Sequence, residues 1–544
     1  MPIRSARLVK SLLAVSSFLA FACSRVTASG AASTAQPHKS DRVIIDGATD
    51  EDWGATAHRV LRALNSGDTT AAAEITTVAE RQDAHYVYLR IDLARAVSLY
   101  GLPGTVSLDF DADGNESTGA EIDSLRGTDF SIDLSPTTNG KVSEGAALRI
   151  MRAGAVVKTR DTYALDFVML PTYAASHVEL RIARGRILDS ARAPGFAGHS
   201  YRAQIAVHDP SGAVRYRLPA FTAALTTLDT TRTETKTDPL ARAPSTQFRA
   251  LIWNVANEGI RDRPERFRRI IAAIDPDLLV LDEVGGVLRR DGVRQFLASL
   301  DSGKPRRPDW QFTYGGGGGY QRTVIATRTS VTEFPEFQFI KFPDSVTQSI
   351  VAAMPAALRA RQRANIDSGL ATGGAVVTLG GKRVAVFGVD LQSAGNPATS
   401  WQEMRRRAEA RLVRDQAMAA IRALGPVDGV IAAGDHNLVS TREPLTILGA
   451  IGQAFDGSPL KVAAPLQLDS ATAATWEGLG GPFPPGRLDW FSYSGRTMEV
   501  LGGFVFDAAD LGERWRAVHH LQHDDSKTAS DHRPVVIDLR WRNH

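Results

Sequence analysis

The chain carries two patterns of apolar and polar positions, one on each side of a polar segment. Between residues 41 and 225 the two kinds of residue alternate in short runs such as "HYVYLRIDL", in which Val87, Leu89 and Ile91 share one face. Such alternation is typical of strands with one buried face, and few helical patterns interrupt these runs. The pattern predicts an antiparallel β-sandwich over residues 41–225.

Beyond residue 248, buried-type strands alternate with helical patterns up to residue 544. "RPERFRRIIAAIDP" has apolar residues at helical spacing before Pro276, and "WQEMRRRAEARLVRDQAMAAIRAL" predicts a long helix whose basic run, Arg405–Arg407, we expect on a solvated face. "GGAVVTLGGKRVAVFGVDL" predicts a hairpin of two buried strands. The alternation favours an α/β domain of layered sheets covered by helices.

A polar segment, residues 226–247, separates the two patterns. Its sequence, "LDTTRTETKTDPLARAPSTQ" from Leu228 onward, is polar and contains two prolines. It is predicted to be a linker.

The first residues have the pattern of an export signal. Arg4, Arg7 and Lys10 precede an apolar run, residues 12–22, that is too short to span a bilayer. We predict a signal peptide over residues 1–23, a flexible tether over residues 24–40, and a secreted, periplasmic or lipid-anchored product. Cys23 is the only cysteine. It is either a lipidated anchor or the last residue of an ordinary signal peptide.

Composition narrows the function only a little. The chain of 544 residues is 43% hydrophobic and 23% charged, with a formal net charge of +3. This is an ordinary globular composition, and it argues against a protein that coats nucleic acid through bulk charge. We expect a monomer.

Polar residues stand beside several buried strands of the second region. They occur in "LIWNV" (Asn254), "LLVLDEV" (Glu283), "VIAAGDHN" (Asp435 and Asn437), "GRLDWFSYS" (Asp489) and "TASDHRPVVIDLRW" (Asp531 and His532). Metal-assisted phosphoryl hydrolysis uses this set, because carboxylates bind Mg²⁺ or Mn²⁺, amides donate to phosphate, and a His–Asp pair handles a proton.

The motifs "WNV", "LDEV", "GDHN", "RLDW" and "SDHRP", in this order across residues 248–541, resemble those of the endonuclease/exonuclease/phosphatase superfamily. That superfamily includes deoxyribonucleases, abasic-site endonucleases, sphingomyelinases and inositol-polyphosphate phosphatases. The resemblance implies a four-layer α/β sandwich with the site at the edge where two sheets meet. It also implies a metal-dependent phosphoester hydrolase.

The resemblance assigns metal roles to three residues. Glu283 is expected to be the principal metal ligand. Asn254 is expected to bind the metal or to orient the phosphate as part of the catalytic set. Asp531 is expected to be a further carboxylate on the metal side.

Four other matched residues are expected to carry the chemistry. Asp435 would orient or deprotonate the attacking water, and Asn437 would hold the phosphate. Asp489 would pair with His532, fix its tautomer and raise the pKa of its imidazole.

The sequence departs from the family pattern at three positions. Asp390, in "VFGVDLQSAG", replaces a histidine that donates a proton or binds phosphate in many members. Asp390 then donates a proton with a raised pKa, or a metal-bound water protonates the leaving group in its place. The further alternatives are that Asp390 binds a second ion or that the domain is slow. Asp282 replaces a glutamine, which is expected to add a negative charge beside Glu283. His436 is expected to be a structural neighbour.

A glycine-rich stretch, "YGGGGGYQRTVIATR", lies between these motifs. Five consecutive glycines predict a mobile loop. Arg322 follows it and either reaches a substrate phosphate or lies on a sheet surface.

The first region resembles family-nine-like carbohydrate-binding modules in "IDGATDEDW" and "DAHYVYLRIDL". The resemblance implies a glycan partner. Trp53, Tyr86 and Tyr88 are either its binding surface or aromatic residues of the sheet core.

An acidic stretch in the same region, "DFDADGNESTG", has the spacing of the front half of an EF-hand loop. The candidate Ca²⁺ ligands are Asp109, Asp111, Asp113 and Asn115, and Asp123 and Asp129 are expected to complete the set. Ala120 at the twelfth position excludes a complete EF-hand, so the alternatives are a Ca²⁺ site in a β-loop and a solvated acidic turn.

Together these observations predict an exported, divalent-metal-dependent phosphodiester hydrolase. "RLDW" favours a nuclease, whereas the modest charge weighs against a long phosphate-binding groove. The alternatives are a phosphomonoesterase or phospholipase of the same superfamily, and a catalytically weak protein that binds surface glycans.

Overall fold

The computed structural model describes residues 43–48, 53, 73–138, 140–186, 195–196, 198–229, 235–301, 305 and 307–543. The predicted signal peptide, Cys23 and the tether lie outside the described residues. From Arg42 to His544 the chain forms one compact unit. None of the helices described is long and apolar enough to cross a membrane.

The first part of this unit is built from two antiparallel sheets. Its strands are β1 (Ile75–Gln82), β2 (Tyr86–Val97), β3 (Thr105–Asp111), β4 (Ala120–Ile122), β5 (Leu125–Thr128), β6 (Phe130–Leu134), β7 (Thr137–Thr138), β8 (Lys141–Val142), β9 (Ala146–Arg152), β10 (Ala155–Arg160), β11 (Val168–Leu170), β12 (Ala175–Ala183), β13 (Ser200–His208), β14 (Val214–Arg217) and β15 (Phe221–Ala224). One sheet has the order β1-β2-β12-β11. The other has the order β10-β9-β6-β3-β13-β14, and β15 also pairs with β13.

The apolar faces of these two sheets share one core. Val87, Leu89 and Ile91 of β2 are buried, as the alternation predicted, together with Leu108 of β3. The ring of Phe130 on β6 stacks on the ring of Phe110 on β3 in the same core. The antiparallel β-sandwich predicted for this region is confirmed.

The second part contains the remaining strands and the helices. The strands are β16 (Phe248–Asn257), β17 (Leu278–Gly285), β18 (Gln311–Phe312), β19 (Gln321–Thr327), β20 (Val331–Glu333), β21 (Thr372–Leu379), β22 (Lys382–Asp390), β23 (Gly429–Asp435), β24 (Lys461–Val462), β25 (Leu466–Gln467), β26 (Asp489–Tyr493), β27 (Met498–Val505) and β28 (Val535–Trp541). The α-helices are α1 (Gly259–Asp262), α2 (Pro264–Ile274), α3 (Arg289–Ser299), α4 (Asp344–Ala353), α5 (Arg359–Asp367), α6 (Trp401–Leu424), α7 (Glu443–Gly449), α8 (Glu513–Val518) and α9 (Asp525–Ala529).

These elements form four layers. One sheet has the order β18-β19-β17-β16-β28-β27-β25 and the other β20-β21-β22-β23-β26-β24. An apolar core that includes Ile252, Val280, Val386 and Ile431 lies between the sheets. A second core packs α2 and α3 against the first sheet, and a third packs α4, α5 and α6 against the other. The predicted four-layer α/β fold is confirmed.

The helical patterns are confirmed with one exception on α6. Helix α2 buries Phe267 and the three isoleucines that the spacing indicated, whereas α6 does not present Arg405–Arg407 as a solvated face. Arg406 is 0% exposed. The Arg406 guanidinium pairs with Glu403, one turn earlier on the helix, and donates its other hydrogen bonds to the carbonyls of residues 392 and 394. A buried arginine is tolerated because it is paired and hydrogen-bonded.

The described part of the predicted linker packs against the α/β part of the chain. Leu240 belongs to the core beneath α2 and α3. The Arg249 guanidinium donates to the Leu240 carbonyl over 2.8 Å and to both carboxylate oxygens of Asp538 over 2.6 and 2.8 Å. The Ala243 amide donates to the same Asp538 carboxylate over 2.8 Å. One buried ion pair therefore fastens this segment to β16 and β28.

The sandwich contacts the loops that border the ends of β23 and β26. Thr172 Oγ1 donates to the Leu438 carbonyl over 2.6 Å, and the Ala174 amide donates to the Ser440 carbonyl over 2.8 Å. Asn396 Nδ2 donates to Glu144 over 2.8 Å. These bonds hold one edge of the sandwich beside the strand ends that carry the polar motifs.

We expect Asp538→Ala to destabilise the chain by about 3–5 kcal/mol, because the Arg249 charge would stay buried without its partner. Urea unfolding followed by tryptophan fluorescence measures the loss. Asp291→Ala is the matched control, since Asp291 pairs with Arg294 on the surface over 2.5 Å and should contribute about 1 kcal/mol or less. Equal losses in the two variants would contradict this account.

Candidate active site

Strand register brings three carboxylates into one row. Strand β22 lies parallel to β23 with Asp390 opposite Asp435, and β26 lies antiparallel to β23 with Asp489 opposite Asp435. Residues that are direct partners across neighbouring strands point to the same face of a sheet. Acidic residues far apart in sequence therefore meet at one place.

Two bulged strands of the facing sheet, β16 and β17, contribute the other polar side chains of the site. The register of β16 is interrupted between Asn254 and Asn257, and that of β17 between Leu281 and Val284. Glu283 lies inside the second bulge with φ at 51°. A left-handed conformation at a non-glycine residue is costly and is held only by surrounding structure, and bulges redirect side chains. The bulge turns the Glu283 carboxylate toward the neighbouring sheet.

Glu283, Asp390 and Asp435 form a carboxylate cluster in which one oxygen from each lies within 4.8 Å of the others. Asn254 Nδ2 donates to Glu283 and to Asp435 over 3.1 Å each, and Asn257 Nδ2 donates to Glu283 over 2.7 Å. Oxygens on opposite sides of Mg²⁺ lie about 4.2 Å apart at bond lengths of about 2.1 Å. The cluster fits a hard divalent cation in both spacing and ligand type.

The charges of the cluster oppose one another. Burial, and then the neighbouring Glu283, raise the pKa of Asp390 well above its usual range. Burial raises the pKa of Asp435 to about 7 against the attraction of His532, and Asp489 and Glu283 add to the increase. Carboxylates packed together in a low-dielectric place repel one another, and a bound cation removes that repulsion.

A His–Asp pair lies beside the cluster. His532 Nδ1 lies 2.8 Å from Asp489 Oδ2, which also accepts a hydrogen bond from Thr475 over 2.7 Å. His532 Nε2 faces Asp435 Oδ2 at 3.7 Å. Burial opposes the imidazolium, but Asp489 and Asp435 together raise the pKa of His532 to about 10. The structure therefore brings together the His–Asp pair that the motifs predicted.

Asn437 is held next to Asp435 by its own backbone. Its φ is 49°, its amide donates to Asp435 Oδ1 over 2.9 Å, and its Nδ2 donates to the Leu391 carbonyl over 2.8 Å. A carboxamide nitrogen carries two hydrogens. One hydrogen of Nδ2 is left for a substrate oxygen.

Asp531 lies outside the carboxylate cluster. Its Oδ2 accepts a hydrogen bond from Trp476 Nε1 over 3.0 Å, and the residue is exposed. Its role as a metal ligand stays a prediction.

The glycine-rich stretch is fastened at several points. The amides of Gly315, Gly316 and Gly318 donate to carbonyls of neighbouring segments over 3.1, 3.0 and 3.1 Å. A Cβ on Gly316 would lie 2.5 Å from the carbonyl oxygen of residue 338, so a larger residue would clash with backbone. The sequence predicted a mobile loop, whereas these glycines serve close backbone packing.

The Arg322 side chain is hydrogen-bonded to the backbone of the same glycine-rich stretch. Its Nη1 donates to the carbonyls of Gly317, Gly319 and Gln321 over 3.1, 2.6 and 2.8 Å. Arg322 is not among the residues that line the two cavities beside the carboxylate cluster. Direct contact with a phosphate stays a prediction.

Sequence reasoning underestimated Asp282. Its carboxylate is completely buried and accepts a hydrogen bond from the Asp435 amide over 3.2 Å. Burial, and then Asp435, raise the pKa of Asp282 well above its usual range. Burial therefore disfavours the extra negative charge that the sequence predicted at this position. The register of β16 with β17, which sets Asn254 opposite Asp282, is not visible in the sequence.

His436, next to Asp435 in the chain, is fully buried. Neither ring nitrogen has a hydrogen-bond partner among the described residues. Burial, and then Arg487, lower the pKa of His436 to about 3. The ring is neutral and acts as packing.

Two cavities adjoin the carboxylate cluster, and Glu283, Ser393 and Asn437 line both. The first, which we call the aromatic cavity, has a volume of about 280 Å³. Its other lining residues include Tyr100, Trp476, Phe483, Leu488, Asp435 and His532. The second, the amide cavity, has a volume of about 320 Å³. Its other lining residues include Asn257, Gln321, Gln362, Asn365, Asp390, Gln392 and Arg405.

The acidic loop of the sandwich brings together some of the predicted Ca²⁺ ligands. One oxygen each of Asp111, Asp113 and Asp129 lies within 4.8 Å of the others. Asp109 instead accepts from Ser107 and Ser131 inside the sheet.

Two further candidate ligands of that loop have other partners. Asp123 lies 3.0 Å from His208. Asn115 Oδ1 accepts hydrogen bonds from Ser117 over 3.1 and 2.7 Å. Calcium binding stays a prediction.

The aromatic residues considered for glycan binding are packed. Trp53 is 2% exposed and donates to Glu179 over 2.7 Å, and Tyr88 lies in the same apolar cluster. Tyr86 packs against that cluster and donates to Asp166 over 3.0 Å. These three rings form no exposed platform, and carbohydrate binding stays a prediction.

The comparisons with known proteins agree with this geometry. A model of the endonuclease/exonuclease/phosphatase family matches residues 251–532. The chain belongs to this family, and it is accordingly a metal-dependent phosphoric ester hydrolase. No curated protein matches the sequence.

Several solved structures resemble the second part of the chain. An endonuclease/exonuclease/phosphatase family protein from Leptotrichia buccalis is 13% identical, with a TM-score of 0.35, and covers 54% of this chain and 99% of its own. An AP endonuclease from Archaeoglobus fulgidus is 10% identical, with a TM-score of 0.33, and covers 53% and 98%. A 3′ phosphatase from Neisseria, bound to product DNA hairpin, is 16% identical, with a TM-score of 0.32, and covers 54% and 100%. The family match, rather than these likenesses, carries the assignment.

We expect Asp390→Asn to weaken Mn²⁺ binding by at least about tenfold. Removing a residue that only orients a metal ligand lowers metal affinity by about 10–100-fold, and a direct ligand should matter at least as much. Isothermal titration calorimetry measures the dissociation constant. Asp531→Asn is the control and should change it by less than about threefold, since an exposed charge is screened by solvent. A larger loss in Asp531→Asn than in Asp390→Asn would place the ion elsewhere.

Proposed function

We propose that the protein is an exported hydrolase of phosphodiesters in nucleic acid and that it uses Mg²⁺ or Mn²⁺. The observation that carries the proposal is that two cavities with different linings meet at one carboxylate cluster. A phosphodiester has an organic group on each side of its phosphorus, and each group then has a cavity of its own. A phosphomonoester would need only one.

Glu283, Asp390 and Asp435 would hold the ion. All three donors are carboxylate oxygens, which Mg²⁺ and Mn²⁺ prefer over softer metals. When bound, such an ion neutralises charge on the phosphate and orients it. Asp390 thus takes a ligand role at the position where many family members have a histidine.

His532 and Asp489 would handle the proton. Asp489 fixes the Nδ1 hydrogen of the ring, so that Nε2 is directed toward Asp435 and the space above the cluster. From there Nε2 can donate a hydrogen bond to an oxygen of the reacting phosphate. The free hydrogen of Asn437 Nδ2 would hold a second phosphate oxygen.

The amide cavity supports a nucleic acid substrate. Asn257, Gln362, Asn365 and Gln392 offer neutral donors and acceptors suited to sugar and phosphate oxygens. Arg405 adds N–H donors, and its charge is paired with Glu409 over 2.7 Å. The "RLDW" motif, which is most similar to that of nuclease branches, supports the same choice. The net charge of +3 fits a short binding site better than a long groove.

Export is supported by the sequence of residues 1–23 alone. A positive start, a short apolar run and small residues before Cys23 form the pattern of a secretory signal. A lipid anchor at Cys23 remains an alternative to a secreted or periplasmic chain.

The test is hydrolysis of supercoiled plasmid and of single-stranded oligonucleotide by the chain without residues 1–23. We expect cleavage in Mg²⁺ or Mn²⁺ and none in EDTA. His532→Ala should lower the rate by about 10²–10⁴-fold, because it removes a proton-handling group. His520→Ala, an exposed histidine outside the site, should leave the rate unchanged.

Absence of cleavage beside an active control nuclease would contradict a nucleic acid substrate. Hydrolysis of phosphomonoesters or phospholipids under the same conditions would then identify one of the alternative activities. Failure on all of these substrates would favour the glycan-binding alternative.

A further inference from the structure

Helix α6 is connected to the active site through the loop that follows β22. This loop comprises residues 391–394, and Leu391, Gln392 and Ser393 line the amide cavity. Asn437 donates one hydrogen of Nδ2 to the Leu391 carbonyl over 2.8 Å. The direction of the other Nδ2 hydrogen, which is available to a phosphate oxygen, therefore depends on where that carbonyl points.

The Leu391 carbonyl is fixed from the opposite side of its own peptide unit. The Leu391 C=O and the Gln392 N–H belong to one rigid plane and point in opposite directions. Glu409, on α6, accepts a hydrogen bond from the Gln392 amide on Oε2 over 2.6 Å. A single peptide plane, which we call the bridging peptide, therefore connects Glu409 to Asn437.

The surroundings of Glu409 strengthen this connection. The residue is 3% exposed, so its bond to the bridging peptide is shielded from water. A charged acceptor shortens and strengthens a hydrogen bond, and hydrogen bonds in series polarise one another. The carboxylate thus holds the bridging peptide in place and makes the Leu391 carbonyl a better acceptor for Asn437.

Separate contacts hold Glu409 itself and the remainder of the loop. Arg405 Nε donates to Glu409 Oε1 over 2.7 Å, which leaves Oε2 for the bridging peptide. Arg406 Nε donates to the Gln392 carbonyl over 2.7 Å, and its Nη2 donates to the Ala394 carbonyl. A change confined to Glu409 would therefore let the bridging peptide rotate without releasing the loop from α6.

We propose that Glu409 is a positioning residue that orients Asn437 through the bridging peptide, so that the second hydrogen of Asn437 Nδ2 meets a phosphate oxygen of the substrate. This inference rests on the phosphate contact that the proposed function gives to Asn437. The reach of the Glu409 side chain decides whether the peptide is held, and its charge only strengthens the bond.

The test compares two substitutions that separate reach from charge. Glu409→Asp keeps the charge but is one methylene too short to reach the Gln392 amide, whereas Glu409→Gln keeps the reach and an acceptor oxygen. We expect Glu409→Asp to weaken the binding of inorganic phosphate at saturating Mg²⁺ about four- to tenfold, because one hydrogen bond is misdirected. Glu409→Gln should weaken it less than about threefold. Isothermal titration calorimetry measures the dissociation constants.

A second background shows whether the effect passes through Asn437. In Asn437→Ala the side chain that the bridging peptide orients is absent, so Glu409→Asp should weaken phosphate binding less than about twofold further. Such non-additivity is expected when one residue acts through the other. The same cycle, measured as kcat/KM for bis(p-nitrophenyl) phosphate, should show the same coupling.

Glu443→Asp is the matched control. Glu443, on α7, accepts hydrogen bonds from Arg407 and Arg411 of α6 over 3.0 and 2.6 Å and lies outside the described linings of both cavities. This substitution should leave phosphate binding unchanged. Thermal unfolding and Mg²⁺ affinity, measured for every variant, separate a loss of fold or of the ion from a loss of orientation.

Four outcomes would overturn the inference. Unchanged phosphate binding in Glu409→Asp would mean that the bridging peptide keeps its orientation without the carboxylate. A larger loss in Glu409→Gln than in Glu409→Asp would mean that Glu409 acts by its charge. Equal losses from Glu409→Asp in the wild-type and Asn437→Ala backgrounds would mean that it acts independently of Asn437. No phosphate binding by the wild-type chain would remove the contact that the bridging peptide serves.

The calorimetric measurement keeps this inference distinguishable from the proposed function. Failure of the wild-type chain to cleave nucleic acid and bis(p-nitrophenyl) phosphate would contradict the proposed function. A coupled loss of phosphate binding in the Glu409 and Asn437 variants would then still support the positioning role of Glu409.

Discussion

Mutual repulsion among carboxylates is the constraint on which the rest of the catalytic region depends. Strand register sets Asp390, Asp435 and Asp489 in one row, and a bulge in the opposite sheet adds Glu283. Nothing in an apolar core stabilises such a group, so the chain surrounds it with amide donors from Asn254 and Asn257, backbone amides and one imidazole. A divalent ion held by Glu283, Asp390 and Asp435 would complete this neutralisation, and the ligand set fits such an ion.

The sandwich changes how that centre meets its substrate. In a catalytic region alone, the space beside His532 would be open on the side where Tyr100 and Thr172 now stand. Hydrogen bonds at Thr172, Ala174 and Ala146 fix that wall to the loops around β23 and β26. Tyr100 and Thr172 of the sandwich thereby form part of the wall of the aromatic cavity, whereas the residues that line the amide cavity all come from the second part of the chain.

Sequence patterns predicted most of the fold and named candidate site residues, most of which the structure brings together. The alternation in β2 and the spacing in α2 are local signals with which the structure agrees. The strand-end motifs named residues that the structure brings together, apart from Asp531, which lies outside the carboxylate cluster. Three features were not predictable because they depend on contacts between distant segments. Arg406 is buried against the carbonyls of residues 392 and 394, the pKa of Asp282 is raised by burial and by the nearby Asp435, and Tyr100 reaches the site only through the docking of the sandwich. The local sequence around Arg406, Asp282 and Tyr100 gives no sign of these long-range contacts.

The most direct test of the central claim is a crystal structure of the chain grown in Mn²⁺, with data collected for manganese anomalous scattering. We predict a peak bonded at about 2.1–2.3 Å to one oxygen each of Glu283, Asp390 and Asp435. A peak at another place with the cluster unliganded, or no peak at saturating Mn²⁺, would contradict the account.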